Sequence, residues 1–198
     1  LLGTQMIAKG HHIPEVTLVG VVSADTGLFL PDYRAAERTW QLLEQVAGRA
    51  GRGPRPGRVI VQTYNPDHPV LASLAAGRAA DWVEGELRDR RQLGYPPFRR
   101  LTSLLVSAPE EEAAEEAARR LVRDFRAAWP DSPAELLGPA PAFLPRLKGR
   151  HRRQLLVKGS LARDQKAWFP ERFAAIARAM RRTGALGLDL DVDPENLL

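Results

Sequence analysis

The first part of the chain alternates compact apolar runs with apolar residues at helical spacing. Residues 16–22 form a short, β-branched apolar run, which is typical of a strand covered on both faces. Asp32 follows Pro31 and is the predicted N-cap of a helix. The apolar face of that helix is expected to hold Ala36, Trp40, Leu43 and Ala47.

A second strand and a longer helical stretch come next. Residues 58–63 predict a strand with Val59 and Val61 on the same face. The order strand, helix, strand indicates a parallel α/β sheet. Residues 69–92 are rich in Ala, Arg and Glu and predict a single helical stretch, which the sequence Gly-Tyr-Pro-Pro at residues 94–97 interrupts. We therefore expect a domain boundary near these residues.

The second part of the chain begins with a strand and a well-marked helix. Residues 101–106 predict the strand, and residues 109–129 predict the helix. Five glutamates stand near the N-terminus of the helix and arginines follow further on, an order that complements the helix dipole. The buried face of this helix is expected to hold Ala114, Ala118, Leu121 and Phe125.

The last sixty residues complete a second predicted domain. A proline-rich connection at residues 138–145 leads to a strand at 154–157, a helix at 169–182 and an alternating strand at 186–192. The plan β-α-β-β-α-β describes a small split-βαβ domain.

Composition restricts the kind of protein. The chain has 198 residues, 44% of them hydrophobic, which is enough for one large or two small domains. Its formal net charge of +5 indicates an anionic partner such as nucleic acid or a membrane surface. The absence of cysteine excludes disulfides and thiolate zinc sites within this sequence and fits a cytoplasmic protein. The sequence has neither a signal-peptide pattern nor a starting Met, so we expect it to be a piece of a longer protein.

The sharpest chemical signal is the string Gln-Val-Ala-Gly-Arg-Ala-Gly-Arg at residues 45–52. On a helix, Gln45, Arg49 and Arg52 share one face. Two adjacent guanidinium groups can clamp a phosphate through paired hydrogen bonds, and the glycines would let a nucleotide approach closely. The same string is also compatible with a helix that frays at its glycines and leaves its arginines in solvent.

This string and several others resemble one family, the primosomal protein N-prime (PriA) helicases. The arginine string is similar to the sixth signature motif of superfamily 2 helicases. Residues 3–14, Gly-Thr-Gln-Met-Ile-Ala-Lys-Gly-His-His-Ile-Pro, resemble the fifth motif in the form found in this family. Further similar strings cover nearly the whole chain and lie at residues 16–19, 25–29, 32–38, 62–63, 66–69, 94–97 and 189–194.

The resemblance implies two domains and several site residues. Residues 1–99 would form the C-terminal part of the second RecA-like helicase lobe, and residues 100–198 a C-terminal domain that resembles a small ribosomal-subunit protein. Arg49 and Arg52, with Gln45, would reach the γ-phosphate of ATP on the other lobe as arginine fingers. Thr4 and Lys9 would contact DNA, although a solvated lysine is the plainer interpretation of Lys9.

The resemblance also implies the activity of the whole protein. It would be a monomeric, ATP-dependent 3′-to-5′ DNA helicase that recognises stalled forks and initiates primosome assembly and replication restart. ATP and Mg²⁺ would bind mainly on the other lobe, and Zn²⁺ in an upstream segment. The sequence contains neither a Gly-x-x-x-x-Gly-Lys-Ser/Thr loop nor an acidic Walker B strand, so we expect the chain alone to be inactive. The alternatives are a DNA-binding scaffold with a decayed motor and a different superfamily 2 helicase.

A basic run in the second domain indicates contact with DNA. From residue 146 to residue 182, only Asp164 and Glu171 oppose the arginines and lysines, and phosphate backbones are the commonest partner of such a field. The predicted DNA contacts are Arg150, Arg152 and Arg153. Three aromatic residues are either stacking platforms for bases or, as we favour, core residues: Phe143, Trp168 and Phe169.

Other implied partners are branched and single-stranded DNA, further primosome proteins and the single-stranded DNA-binding protein, but no membrane. Arg163 and Lys166 are candidates to pair with the acidic tail of the last of these beside an apolar notch; they also fit ordinary charges at a helix start. Residues 11–12, two histidines, do not predict a metal site, because helix neighbours face apart. Asp189 and Asp191 are expected on the solvent face of an edge strand.

Overall fold

A computed structural model of the chain describes residues 16–48, 56–181 and 185–197. They form two compact units that divide between Arg88 and Asp89. The first unit contains β1 (Leu18–Val21), α1 (Asp25–Leu28), α2 (Ala35–Ala47), β2 (Arg58–Val61), α3 (Pro69–Ala75) and most of α4 (Ala79–Leu93). The second contains β3 (Leu101–Ala108), α5 (Glu111–Ala128), β4 (Glu135–Leu147), β5 (Arg150–Lys158), α6 (Arg163–Ala179) and β6 (Gly187–Val192).

The strands of the first unit confirm the predicted parallel pairing. β1 and β2 run parallel, with Val19 opposite Val59 and Val21 opposite Val61. The helices pack on the face of the pair that holds Val21 and Val61. The core there consists of Ala24, Leu28, Leu43, Val70, Leu71 and Trp82. Trp40 of α2 stacks on Trp82 of α4 with 5.1 Å between ring centres.

Three expectations for the first unit are wrong. Ala47 does not lie on the buried face of α2, because it is exposed. Coverage of β1 on both faces stays a prediction: the described helices pack on one face, and Leu18 is 59% exposed. Asp32 is not the N-cap: α2 begins at Ala35, and the Asp32 carboxylate instead accepts a hydrogen bond from the Arg34 N–H at 2.8 Å. The stretch at residues 69–92 is two helices, because Gly77 adopts a φ of +66° between them, a conformation that ends a helix.

The second unit confirms the predicted β-α-β-β-α-β order. Its four strands form an antiparallel sheet in the order β4-β5-β3-β6. α5 and α6 pack against one face of this sheet and share its core. The four residues predicted for the buried face of α5 are all buried: Ala114, Ala118, Leu121 and Phe125.

The proline-rich segment at residues 138–145 is a strand and not the expected connection. It lies inside β4, which is an edge strand. An edge position tolerates proline because the missing N–H does not interrupt a ladder on the outer side. The pairing with β5 shifts register between Leu137 and Ala140 and again between Pro141 and Arg146.

The two units divide ahead of the sequence-based boundary at residue 99. Gly94, with a φ of +67°, follows α4. The Lys158 ammonium of β5 donates a hydrogen bond to the Leu93 carbonyl at 3.0 Å and lies 4.0 Å from the centre of the Tyr95 ring. The end of α4 is therefore tied to the sheet of the second unit. No helix among the residues the structure describes is long and apolar enough to cross a membrane.

Candidate nucleic-acid interface

The arginine string falls largely outside the described residues. Arg49 and Arg52 lie in the gap between the described ranges 16–48 and 56–181, and Thr4 and Lys9 lie before residue 16. Gln45 is described: it lies exposed in the last turn of α2, which ends at Ala47. The roles predicted for these five residues remain predictions.

Arg153 is buried between the sheet and α5. Its guanidinium group donates to the Glu111 carboxylate at 2.6 Å and to the Glu115 carboxylate at 2.5 Å, and the residue is only 7% exposed. The hydrogen bond from Arg153 is the main reason that the pKa of Glu111 lies below its usual value. The pKa of Glu115 is lowered first by Arg119 and then by Arg153. A charge in the core needs such partners, so the hydrogen bonds of Arg153 are made inside the unit.

Arg150 also bonds within the unit, on the side of the sheet away from α5. Its Nε donates to the Ser107 hydroxyl at 3.1 Å. Its Nη2 donates to the carbonyls of Ser107 at 3.0 Å and Ala185 at 2.6 Å. Arg150 thus connects β3 to the segment that leads into β6.

Arg152 is half-buried, as Arg150 and His151 are. Its Nη1 donates to the Leu144 carbonyl at 3.3 Å, and this hydrogen bond is exposed. Because strand residues alternate between faces, Arg152 lies on the face opposite Arg153. The structure therefore does not bring the three predicted DNA contacts together on one surface.

Mixed apolar and basic side chains surround the turn between β4 and β5; sequence reasoning predicted the basic run and considered Phe143, but it did not predict the hairpin that brings them together. Lys148 and Gly149, with φ values of 50° and 77°, form a two-residue turn of the kind that joins antiparallel strands. We call the exposed part of this hairpin the hairpin patch: it consists of the apolar residues Phe143, Leu144 and Leu147 and the basic residues Arg146, Lys148 and Arg152. Arg146 pairs with His151 on the side that faces α5, Lys148 lies in the turn, and Arg152 lies on the other side. The three apolar residues are 42–45% exposed, and Arg146 and Lys148 are exposed as well.

The other aromatic candidates are core residues, as favoured. Phe169 is fully buried and stacks on Phe125 with 5.2 Å between ring centres. Trp168 contacts Phe125 and, edge to face at 5.1 Å, Trp129. Of the three aromatic residues considered for base stacking, Phe143 alone is exposed.

The candidate peptide contacts lie at the start of α6. Arg163 is exposed and Lys166 is half-buried, one helical turn further on. Lys166 adds a small contribution to the lowered pKa of Asp193, whose main cause is the hydrogen bond from Arg100. The ring of Trp168 nearby packs into the aromatic cluster of the core, so it offers only part of its surface to a ligand.

A second polar cluster lies where β1 and β2 end, and sequence reasoning missed it. The Asp25 carboxylate accepts hydrogen bonds from the Thr63 hydroxyl at 3.0 Å, the Tyr64 N–H at 3.1 Å and the Asn65 amide at 2.8 Å. The bond from Asn65 is the main cause of the lowered pKa of Asp25. These bonds fix the backbone of Tyr64, whose side chain is 89% exposed. The carboxyl ends of parallel strands are the usual ligand-binding edge of an α/β sheet.

These features define the class: an α/β protein of two units, the second a split-βαβ domain with a basic hairpin. Residues 91–195 match the family described as the primosomal protein N C-terminal domain, and the chain belongs to this family.

Curated relatives match the chain over most of its length. It is 42% identical over 199 residues to the replication restart protein PriA of Synechocystis sp., covering 98% of this chain and 22% of that protein. It is 44% identical over 158 residues to the replication restart protein PriA of Bacillus subtilis (80% and 20%), and 39% identical over 198 residues to that of Haemophilus influenzae (100% and 26%). The chain thus spans about a fifth to a quarter of the length of these relatives.

Proposed function

We propose that this chain is part of an ATP-dependent 3′-to-5′ DNA helicase that recognises stalled replication forks and initiates primosome assembly. The observation that carries the proposal is the similarity of the chain, over 98–100% of its length, to proteins named replication restart protein PriA. The string at residues 45–52, similar to the sixth motif of superfamily 2 helicases, supports a motor function.

The first unit would belong to the second RecA-like lobe of the motor. The parallel pairing of β1 with β2 supports this assignment, as does the exposed apolar face formed by Leu18, Val22 and Ile60. Parallel sheets are normally covered on both faces, so this face fits a sheet that is completed by other parts of a larger lobe.

ATP and Mg²⁺ would be held mainly by the other lobe. Gln45, exposed near the end of α2, is accessible to a nucleotide, and Arg49 and Arg52 would stabilise the charge on its γ-phosphate. The Zn²⁺ expected in the intact protein would lie in another segment, since this sequence contains no cysteine.

The second unit would bind DNA and protein partners. Its exposed cations support contact with phosphates. Among the three predicted DNA contacts, the hydrogen bond of Arg152 to Leu144 is exposed, whereas those of Arg150 are partly buried. Thr4 and Lys9 would add contacts from the first unit. Arg163 and Lys166 would bind the acidic tail of the single-stranded DNA-binding protein. Other surfaces of this unit, to which the resemblance assigns a ribosomal-protein-like fold, would bind branched DNA and other primosome proteins.

The test is DNA-stimulated ATP hydrolysis by the intact protein. Arg49→Ala or Arg52→Ala is expected to lower turnover by about 10³–10⁵-fold, as arginine fingers do in comparable sites, while DNA affinity stays near that of the wild type. Arg88→Ala, which removes an exposed arginine of the same unit, is the control.

Two outcomes would contradict the proposal in different ways. Near-normal turnover in both arginine variants would remove the arginine-finger assignment. An intact wild-type protein that binds forked DNA and hydrolyses no ATP would favour the non-catalytic scaffold.

A further inference from the structure

We propose that the hairpin patch binds single-stranded DNA that passes around the end of the hairpin: Phe143 stacks on a base, and the phosphates are contacted by Lys148 at the turn and by Arg146 and Arg152 on its two sides. The inference rests on the proposed DNA-binding function and assigns it to a particular surface and to one form of DNA.

The apolar part of the patch protrudes from the sheet. In the β4–β5 pairing, Pro141 lies opposite Arg153 and Arg146 lies opposite His151. Four residues of β4, numbers 142–145, therefore stand against the single residue Arg152 of β5. Such an excess forces one strand outward, and it leaves Phe143 42% exposed and Leu144 45% exposed.

The patch is held rigidly by the arginines that bond inside the unit. Arg152 donates to the Leu144 carbonyl within the protruding segment. Arg153 anchors β5 to Glu111 and Glu115 on α5, and Arg150 anchors it to β3. A preorganised surface loses little conformational entropy when a ligand binds.

The chemistry of the patch fits a single strand better than a duplex. Residues 143–152 contain three large apolar side chains and four cations, and three of these cations belong to the patch because Arg150 bonds inside the unit. Single strands are recognised by such a combination, because aromatic side chains stack on unpaired bases while cations follow the backbone. In a duplex the base faces are covered by their neighbours, so Phe143 would find no face on which to stack.

A peptide is a poorer fit for the same surface. Peptides commonly add to an edge strand through backbone hydrogen bonds. β4 is an edge strand, but Pro139, Pro141 and Pro145 lack the N–H groups that such an added strand would use. The cations alone would attract an acidic peptide, and this possibility is an arm of the test.

The first experiment removes the aromatic ring. Binding of a fluorescent oligothymidine to the full 198-residue chain is measured by anisotropy at several salt concentrations. Phe143→Ala is expected to weaken binding roughly five- to hundredfold, which corresponds to the loss of one stacked base, with an unchanged salt dependence. Phe143→Tyr keeps a stacking ring and should bind like the wild type. Leu93→Ala, which truncates a residue of the same unit that is 59% exposed, is the matched control.

The second experiment removes charge and base separately. Arg146→Gln with Lys148→Gln should flatten the plot of log K against log salt by about 0.7 for each lost contact, and Arg178→Gln, an exposed change on α6, should leave the slope unchanged. On an abasic oligonucleotide, Phe143→Ala and wild type should bind equally.

The inference fails if Phe143→Ala binds oligothymidine within about twofold of wild type, or if it loses as much affinity on abasic or blunt duplex DNA. It also fails if an acidic peptide binds in a Phe143-dependent way and oligothymidine does not. If the wild-type chain binds no DNA at low salt, the proposed DNA-binding function of the whole unit is contradicted. If every hairpin variant binds DNA normally, only the assignment to the hairpin is contradicted. Thermal denaturation of each variant checks its fold, and the Arg146 and Lys148 variant decides the matter should Phe143→Ala unfold.

Discussion

Arg153 is a buried charge whose two carboxylate partners lie one helical turn apart on α5. Arg153→Met keeps much of the side-chain volume but removes the donors to Glu111 and Glu115. We expect the free energy of unfolding to fall by roughly 1–3 kcal/mol, because charged hydrogen bonds are lost and their acceptors remain. Urea denaturation of the full chain measures this change. Arg178→Met, an exposed change on α6, should stay within about 0.5 kcal/mol of wild type; equal stability of the two variants would contradict the structural role of Arg153.

The same cluster predicts a dependence on pH. The pKa values of Glu111 and Glu115 lie below the ordinary value of 4.5 in the folded protein. Their contribution to stability is therefore present above the ordinary value and is lost as the pH falls through the lower folded value. The stability advantage of wild type over Arg153→Met should shrink between pH 7 and about pH 3. Denaturation curves at both pH values test this, and an advantage that is the same at both would contradict it.

The positions of these arginines in the structure show which features a charge pattern predicts and which it does not. The run at residues 146–153 predicts a positive surface, and Arg146, Lys148 and Arg152 are at least partly exposed there. The prediction began the strand at residue 154, whereas β5 begins at Arg150. Strand alternation therefore applies to the arginines themselves and turns Arg153 toward α5, which the charge pattern alone does not reveal.

Two glycines, one between α3 and α4 and the other inside α4, are expected to respond in opposite ways to substitution by alanine. Gly77 adopts a φ of +66° between α3 and α4, where a side chain is strained, so Gly77→Ala should destabilise the chain by about 1 kcal/mol. Gly85 lies inside α4, and a Cβ added there meets no atom within 4 Å, so Gly85→Ala should stabilise it by roughly 0.5–1 kcal/mol.

Thermal or urea denaturation of the two variants, each beside wild type, measures both shifts. Each variant is the control for the other, because the chemical change is identical and only the backbone conformation differs. A shift of the same sign in both would contradict the argument.

Elements with a clear period were predictable, and those shaped by a single turn or an edge were not. The apolar spacing of α5 placed Ala114, Ala118, Leu121 and Phe125 correctly. β4 was missed because its prolines indicate a connection, and only its position at the edge of the sheet makes them compatible with a strand. The division between α3 and α4 falls at Gly77, and an isolated glycine in a helical pattern does not by itself indicate a break.

At the scale of the whole molecule, the two units differ in how completely they bury their sheets. The second unit encloses its core, with Leu104, Val106, Leu155 and Val157 fully buried between the sheet and two helices. The first unit leaves one apolar sheet face exposed at Val22 and Ile60 among others. The sequence order of elements predicted both sheets. It could not indicate that one sheet face of the first unit is exposed, because the coverage of a face depends on segments from other parts of the protein that pack on it.

The last prediction is that a protein partner binds at the start of α6. A peptide with several carboxylates and an apolar last residue, like the tail proposed as a ligand, is expected to bind the chain through Arg163 and Lys166. These residues lie three apart on one turn, so both can reach the same peptide. Replacing both with Ala should raise the Kd roughly tenfold, because partly exposed charged hydrogen bonds contribute modestly. Titration of the labelled peptide measures this change, and Arg88→Ala with Arg178→Ala removes the same charge from other exposed helix positions. Equal weakening by both double variants would mean that the peptide responds to net charge and not to the start of α6, and unchanged binding by the first would place the peptide elsewhere on the molecule.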